Sequence, residues 1–202
     1  MKKLVLASNN AGKLAEFGRL LQPLNIDVLA QNALDVPECD EPFHTFVENA
    51  LHKARHAARH TGIPALADDS GICVPALNGA PGVYSARYAS DEGDLSLPKD
   101  TRNNLKLVAA LQNVDDRRAY YYCVLVLVRH ADDPQPLIVD GLWWGEVLQE
   151  AMGEGGFGYD PYFYIDALRT TAAQMDKAQK NAVSHRGIAV QKLLARLNEV
   201  NL

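Results

Sequence analysis

Lys2-Lys3-Leu4-Val5-Leu6-Ala7-Ser8-Asn9-Asn10-Ala11-Gly12-Lys13 is the stretch that decides how the chain is read. The apolar run from Lys2 to Ala7 predicts a short strand buried on both faces, and Ser8 to Gly12 is rich in turn formers. A helix starting near Lys13 must then end before Pro23. Strand, polar loop and helix in that order form the unit that turns backbone N–H groups toward an anion.

Outward from there, Asp27 to Ala30 predicts a second strand. Thr45-Phe46-Val47-Glu48 reads as a capping box, in which the Glu48 carboxylate reaches back to the first residue, ahead of a helix ending at Thr61. Val47, Ala50, Leu51, Ala54 and Ala58 share the inward face of that helix. Ile63 to Ala67 predicts a brief strand that gives way to a turn at Asp68-Asp69-Ser70-Gly71. Gly79 to Gly82 is a turn, Asp91 to Asp100 a polar, mobile loop, and Asn103 to Leu111 a helix packing through Leu105, Val108 and Leu111. Ala119 to Arg129 and Pro136 to Leu148 predict an antiparallel hairpin. A glycine-dense loop, a short strand from Tyr162 to Ile165 and one last helix burying Val190, Leu193, Leu194 and Leu197 complete the chain. A central hairpin in place of strict alternation predicts an α/β fold around a mixed sheet, with the polar clusters in a cleft between two lobes.

Size and charge narrow the function. The 202 residues, 48% of them hydrophobic, suffice for one domain or two lobes sharing a core. Twenty Lys and Arg against 25 Asp and Glu give a formal charge of −5, which argues against a nucleic-acid surface. There is no apolar run of about eighteen residues, and the stretch after Met1 is too short for a signal peptide. A soluble cytoplasmic protein without a membrane partner is expected. Cys39, Cys73 and Cys123 contain no CxxC pair and read as buried or half-buried thiols rather than as disulfides or a zinc site.

Four clusters carry chemistry, each with a plainer alternative. Ser8 to Lys13 lacks the P-loop pattern, yet Lys13 sits at a helix N-terminus, where the dipole disfavours a cation by roughly 0.3–1 kcal/mol. An anion there would reverse the sign; the alternative is a solvated lysine. Asp68 and Asp69 repel each other unless a cation neutralises them, and oxygen donors of this kind suit Mg²⁺. Glu41, or less favourably Glu38 or Asp40, would add a further carboxylate; the alternative is a polar turn. Gly153 to Asp160 permits close backbone approach to a ligand, with Phe157 and Tyr159 as stacking faces; the alternative is an unliganded loop. Lys177, Lys180, His185 and Arg186 gather near the start of the last helix, with Ser184 as N-cap, and would bind phosphate or a base edge. Their alternative is a solvated charge run. His52, His56 and His60 fall opposite the packed helix face and read as a solvent-facing stripe, not a metal site.

Taken in order, LASNNAGK (6–13), TFVENALHKARHAA (45–58), ADDSG (67–71), GAPGVYSARY (79–88), GGFGYDP (155–161) and KNAVSHRG (180–187) resemble the inosine/xanthosine triphosphate pyrophosphatase family, its bacterial branch most closely. The resemblance implies hydrolysis of ITP, dITP and XTP to the monophosphate and pyrophosphate with Mg²⁺, which clears deaminated purines from the nucleotide pool. It implies one domain over residues 1–202, two-lobed around a long mixed sheet, acting as a homodimer. By position, Ser8, Asn9, Asn10, Ala11, Gly12 and Lys13 would hold the triphosphate, with Lys13 on its charge. Asp69 would be the general base; Asp69 and Glu41 would hold the metal, with Asp68 and Ser70 completing the site. Phe157, Gly158, Tyr159, Asp160, Lys180, His185 and Arg186 would bind substrate, the last two reading the 6-keto group, with Lys53 and Arg87 as secondary contributors. The chain departs from the family pattern at Asn9-Asn10, where Gly-Asn is frequent, and at Asp40-Glu41-Pro42-Phe43, where Glu-Thr-Gly is common. Gln174 and Gln179 stand where Glu is frequent, and the loop from Asp91 to Pro98 is long. A Maf-like pyrophosphatase would carry a Ser-x-Arg-Arg first loop, and a non-catalytic nucleotide-binding regulator would not need the carboxylates Asp68 and Asp69.

Overall fold

A computed structural model describes residues 2–90 and 92–199; Asp91, at the head of the loop expected to be mobile, lies outside them. Seven strands form one sheet in the order β2-β1-β3-β4-β5-β6-β7. They are β1 (Lys2–Leu6), β2 (Ile26–Ala30), β3 (Ala65–Cys73), β4 (Arg118–Val128), β5 (Leu137–Val147), β6 (Phe163–Ile165) and β7 (Thr170–Thr171). The helices are α1 (Ala11–Leu21), α2 (Phe46–Thr61), α3 (Lys99–Ala110), α4 (Lys177–Val183) and α5 (His185–Arg196). β1 pairs in parallel with β2 and with β3, whereas β6 runs antiparallel to β5 and β7, so the sheet is mixed, as the element order implies. None of the described helices is long and apolar enough to cross a membrane.

By contact density the chain divides into two compact units. One holds the described residues of Met1–Asp69, Val124–Asp140 and Ala189–Leu202; the other is Ser70–Cys123 with Gly141–Ile188. In the first, Leu4, Val5 and Leu6 of β1 are fully buried, as predicted from their unbroken apolar run, and α1 and α2 pack against β2 and β1. α1 begins two residues earlier than expected because the Asn10 side chain caps it, and Pro23 sits in the short 3-10 turn that follows its end. In the second unit, Leu107, Leu111, Tyr121, Trp143 and Phe163 share one apolar core.

Several expectations change. β3 does not stop at Asp68; it runs through Asp68-Asp69-Ser70-Gly71 to Cys73, so the carboxylates lie in mid-strand. The burial they suffer there is tolerable because lysines reach them, as described below. On α3 the buried side chains are Asn103, Asn104 and Leu107, while Leu105 is exposed. Of the predicted inward residues Leu111 is fully buried, whereas Leu105 turns outward because the asparagines take the inner face by bonding to backbone: Asn103 accepts from the Ala89 N–H (2.8 Å) and Asn104 donates to the Gly158 carbonyl (2.8 Å). On α2, Ala50, Ala54 and Ala58 are buried as expected but Val47 is exposed. The Glu48 carboxylate accepts from the Thr45 hydroxyl (2.6 Å) while the Glu48 N–H donates to that hydroxyl (3.3 Å). The histidine stripe is only partly open: His52 meets the edge of Phe43 and His56 Nε2 donates to the Pro37 carbonyl (2.9 Å), leaving His60 exposed. The single final helix is two, because Ser184 is extended (ψ 162°) and caps α5 by accepting from the Gly187 N–H (3.2 Å).

The connection after β4 is organised by Asp133. Its buried carboxylate accepts from the Arg129 backbone N–H (2.9 Å), the Arg129 guanidinium and the Gln135 N–H (2.9 Å). Hydrogen bonds from the Arg129 side chain hold this carboxyl well below the usual carboxylate range. Asp133→Asn is expected to lower the thermal midpoint by roughly 3–8 °C at neutral pH. A depressed pKa gives stability that is present above about pH 4 and lost as the pH falls. The difference between wild type and variant should therefore close in thermal melts taken under progressively acid conditions.

Candidate active site

In the first unit the site is built where β1 passes into α1. Asn10 Oδ1 accepts from the backbone N–H groups of Gly12 (2.8 Å) and Lys13 (3.1 Å), so two of the helix's orphan donors are already used. Asn9 accepts from Gln31 Nε2 (3.0 Å), and Ser8 Oγ accepts from the Asn10 N–H (3.2 Å). The cation left over is the Lys13 ammonium, which forms an ion pair with the buried Asp68 carboxylate. That pair accounts for a lysine in the first turn of a helix, because the unfavourable dipole interaction is offset by a fixed negative charge.

Beside it, the Lys53 ammonium uses its three donors on Glu41 Oε1 (2.7 Å), the Asp68 carbonyl (2.9 Å) and Asp69 Oδ1 (3.0 Å). Burial, the largest influence on Lys53, disfavours its charge, but Asp69 and Glu41 outweigh it and the pKa ends raised. For Asp69 burial again dominates and pushes the carboxyl up to about 6; Glu41 and Asp68 add to the rise and Lys53 opposes it. Asp69 Oδ2 is buried and has no hydrogen-bond partner among the described residues. A buried carboxylate oxygen without a donor, next to a second carboxylate on the same lysine, fits a divalent cation that keeps most of its water shell. Among the described residues no group of three or more His, Cys, Asp and Glu already stands in an arrangement that could hold a metal ion. Of the acidic-loop candidates it is Glu41 that reaches Lys53, whereas Glu38 lies 3.5 Å from Asn9 Nδ2.

In the second unit a pocket of about 140 Å³ is lined by Ser70, Phe157, Gly158, Tyr159, His185 and Arg186, six residues singled out from sequence, together with Gly71, Ser85, Ala86, Asp100, Asn103 and Tyr121. Arg186 Nη2 donates to Ser70 Oγ (3.2 Å). Phe157 is 63% exposed, with Lys180 Nζ 4.6 Å from its ring centre, so a flat surface and a cation stand together. Tyr159 is buried instead, and its hydroxyl donates to the Ser85 carbonyl (2.8 Å), which makes it a support for the loop rather than a stacking face. Asp160 is also buried; it accepts from the Phe157 N–H (2.8 Å) and from Lys180. Gly156 adopts φ 77° and a Cβ there would collide with the Asp160 carboxylate, so this glycine admits the protein's own side chain.

Ser85, Asp100, Asn103, Asn104 and Tyr121 were not foreseen. Asp100 accepts from the Gly158 N–H (2.8 Å) and Asn104 donates to the Gly158 carbonyl, so α3 clamps the glycine loop from both sides. The paired asparagines on a helix were the one available signal, since that residue type is disfavoured in helix interiors unless its amide is used. Arg87 lies 5.3 Å over the Tyr84 ring, and neither residue lines the pocket.

Residues 4–196 match the Ham1 family. The chain is 63% identical over 196 residues to a protein of Chromobacterium violaceum named dITP/XTP pyrophosphatase, covering 96% of each. It is 59% identical over 199 residues to a protein of that name from Nitrosomonas europaea, covering 98% of this chain and 96% of the relative. Among solved structures, a HAM1 protein from Coxiella burnetii superposes with a TM-score of 0.93 at 47% identity, over 99% of this chain and all of the other. The Staphylococcus aureus Ham1 protein gives 0.87 at 39%, over 98% and 99%.

The raised Asp69 pKa makes a stability prediction. Ionising this buried group costs the metal-free protein stability, which is full below about pH 4 and falls as the pH rises through about 6. Between pH 4 and pH 8 the urea-unfolding free energies of wild type and Asp69→Asn should therefore move by roughly 2–3 kcal/mol in favour of the variant, measured in chelator.

Proposed function

Since the chain belongs to the Ham1 family, we propose that it hydrolyses ITP, dITP and XTP to the nucleoside monophosphate and pyrophosphate, and so removes deaminated purines from the nucleotide pool. The observation that carries the mechanism is Asp69, a buried carboxylate tied by one oxygen to Lys53 and open at the other. At neutral pH Asp69 is ionised but more basic than an ordinary aspartate, which suits it to take the proton of a water attacking the α-phosphorus. Asp69 and Glu41, with Asp68, are the residues that would hold Mg²⁺, whose charge would offset that on the phosphate oxygens.

Lys13 stabilises the departing pyrophosphate. It already lies against a carboxylate, and a polyphosphate offers it stronger anionic partners than Asp68. Ser8 to Gly12 supply the remaining polar groups of the triphosphate loop. Phe157 stacks on the base, Lys180 contributes charge beside it, and His185 and Arg186 donate to O6 of the purine. Adenine presents an amino group in that place, so the same donors would go unpaired or meet another donor. The activity belongs to one domain over residues 1–202, acting in the cytoplasm as a homodimer without a nucleic-acid partner.

Pyrophosphate release with Mg²⁺ is expected to be at least ~100-fold more efficient for dITP or XTP than for dATP or dGTP. Equal rates across the panel, or release of single phosphates, would sink the assignment. Asp69→Asn should retain a cooperative melt and lose at least ~100-fold in turnover. In wild type, kcat/KM should rise with pH toward a plateau with a midpoint at or below about 6, because the base must be ionised and a bound cation favours the ionised form.

A further inference from the structure

We infer that Tyr121, in the middle of β4, is the positioning residue that sets base discrimination. This rests on the reading of His185 as a donor to the purine. The Tyr121 ring stacks on the His185 imidazole, with ring centres 4.7 Å apart and planes 10° from parallel. Behind it, the edge-on Phe163 ring, 4.7 Å away, fixes the Tyr121 plane. The His185 imidazole therefore takes its orientation from a rigid strand rather than from the first turn of α5 alone.

The other end of the same side chain holds the glycine loop. Tyr121 Oη donates to Asp160 Oδ1 (3.3 Å), while Asp160 Oδ2 accepts from the Phe157 N–H (2.8 Å) and from Lys180. Burial, with the neighbouring Asp160 charge, pushes the Tyr121 hydroxyl far above its ordinary range, so it stays a neutral donor at all working pH values. One buried side chain thus makes the nearer of two stacks on the imidazole, Trp143 being 6.5 Å away, and bonds the carboxylate on which Phe157 and Lys180 depend. Specificity for a keto oxygen over an amino group is angular as well as chemical, because a donor that swings freely can turn its other edge or admit water.

The two ends of Tyr121 separate in two variants. Tyr121→Phe keeps the stack and removes the bond to Asp160: KM for dITP should rise roughly three- to tenfold with kcat within about twofold, and the preference for dITP over dATP should persist. Tyr121→Leu removes the stack: that preference, as a ratio of kcat/KM values, should fall at least ~10-fold. Proton NMR of the folded variants supplies an independent readout. The ring-current displacement of the His185 carbon-bound protons should be retained in Tyr121→Phe and reduced in Tyr121→Leu to what the Trp143 ring, 6.5 Å from the imidazole, contributes. An unchanged substrate ratio in a folded Tyr121→Leu, or unchanged His185 resonances, overturns the assignment of Tyr121. A wild-type protein that does not distinguish dITP from dATP overturns the purine reading instead, and the NMR comparison then decides the orientation of His185 by itself.

Discussion

Burying two adjacent carboxylates in the middle of a strand is the constraint around which the first unit is arranged. Alternation along β3 sends successive side chains to opposite faces, and the Asp68 and Asp69 carboxylates are met by different lysines. Each has its own: Lys13 comes to Asp68 from the first turn of α1, and Lys53 comes to Asp69 from α2. Burial penalises the charge of both carboxylates, and Lys13 stands in the first turn of a helix, where helix energetics alone would not put a cation. The positions of α1 and α2 against β1 and β2 are thus tied to charge as much as to apolar packing.

Arrangements of this kind are poor investments in stability, since desolvation consumes much of the Coulomb energy. They make sense when the partners are exchangeable. On the proposed function a bound polyphosphate would compete with Asp68 for Lys13, and a divalent cation would compete with Lys53 for Asp69 and Glu41. The free protein neutralises its own charges in pairs, and substrate and metal together would exchange those partners without leaving any buried charge alone.

The outline of the fold was legible in the sequence because it rests on local signals. The run from Lys2 to Leu6, the cap at Thr45 and the break at Pro23 each act over a few residues. The order of strands and helices implied the mixed sheet. Site residues were legible where an uncommon residue type stands out, as at Asp68-Asp69 or the glycines after Met152. What was missed depends on distant partners. Nothing near Asp68 announces that β3 continues, because the lysines that permit it lie 55 and 15 residues away. The buried face of α3 was read only in part for the same reason: Asn103 and Asn104 are worth burying only because backbone groups elsewhere accept and supply their hydrogen bonds.

Glycine density illustrates how one signal can carry more than one cause. The loop after Met152 suggested room for a ligand, yet a Cβ at Gly156 would strike Asp160, and one at Gly187 would strike the Asn181 carbonyl. In both places the close approach is the protein's own. Gly156 lets a buried carboxylate sit under the loop and gather the Phe157 amide and Lys180, and Gly187 lets the end of α4 press against the start of α5. The exposed residues, Phe157 and the half-buried Lys180 and Arg186, are thereby held by groups that never need to meet solvent. A net charge of −5 is compatible with an anionic ligand on these terms, because each cation offered to it is first positioned by an acidic or polar partner of the chain itself.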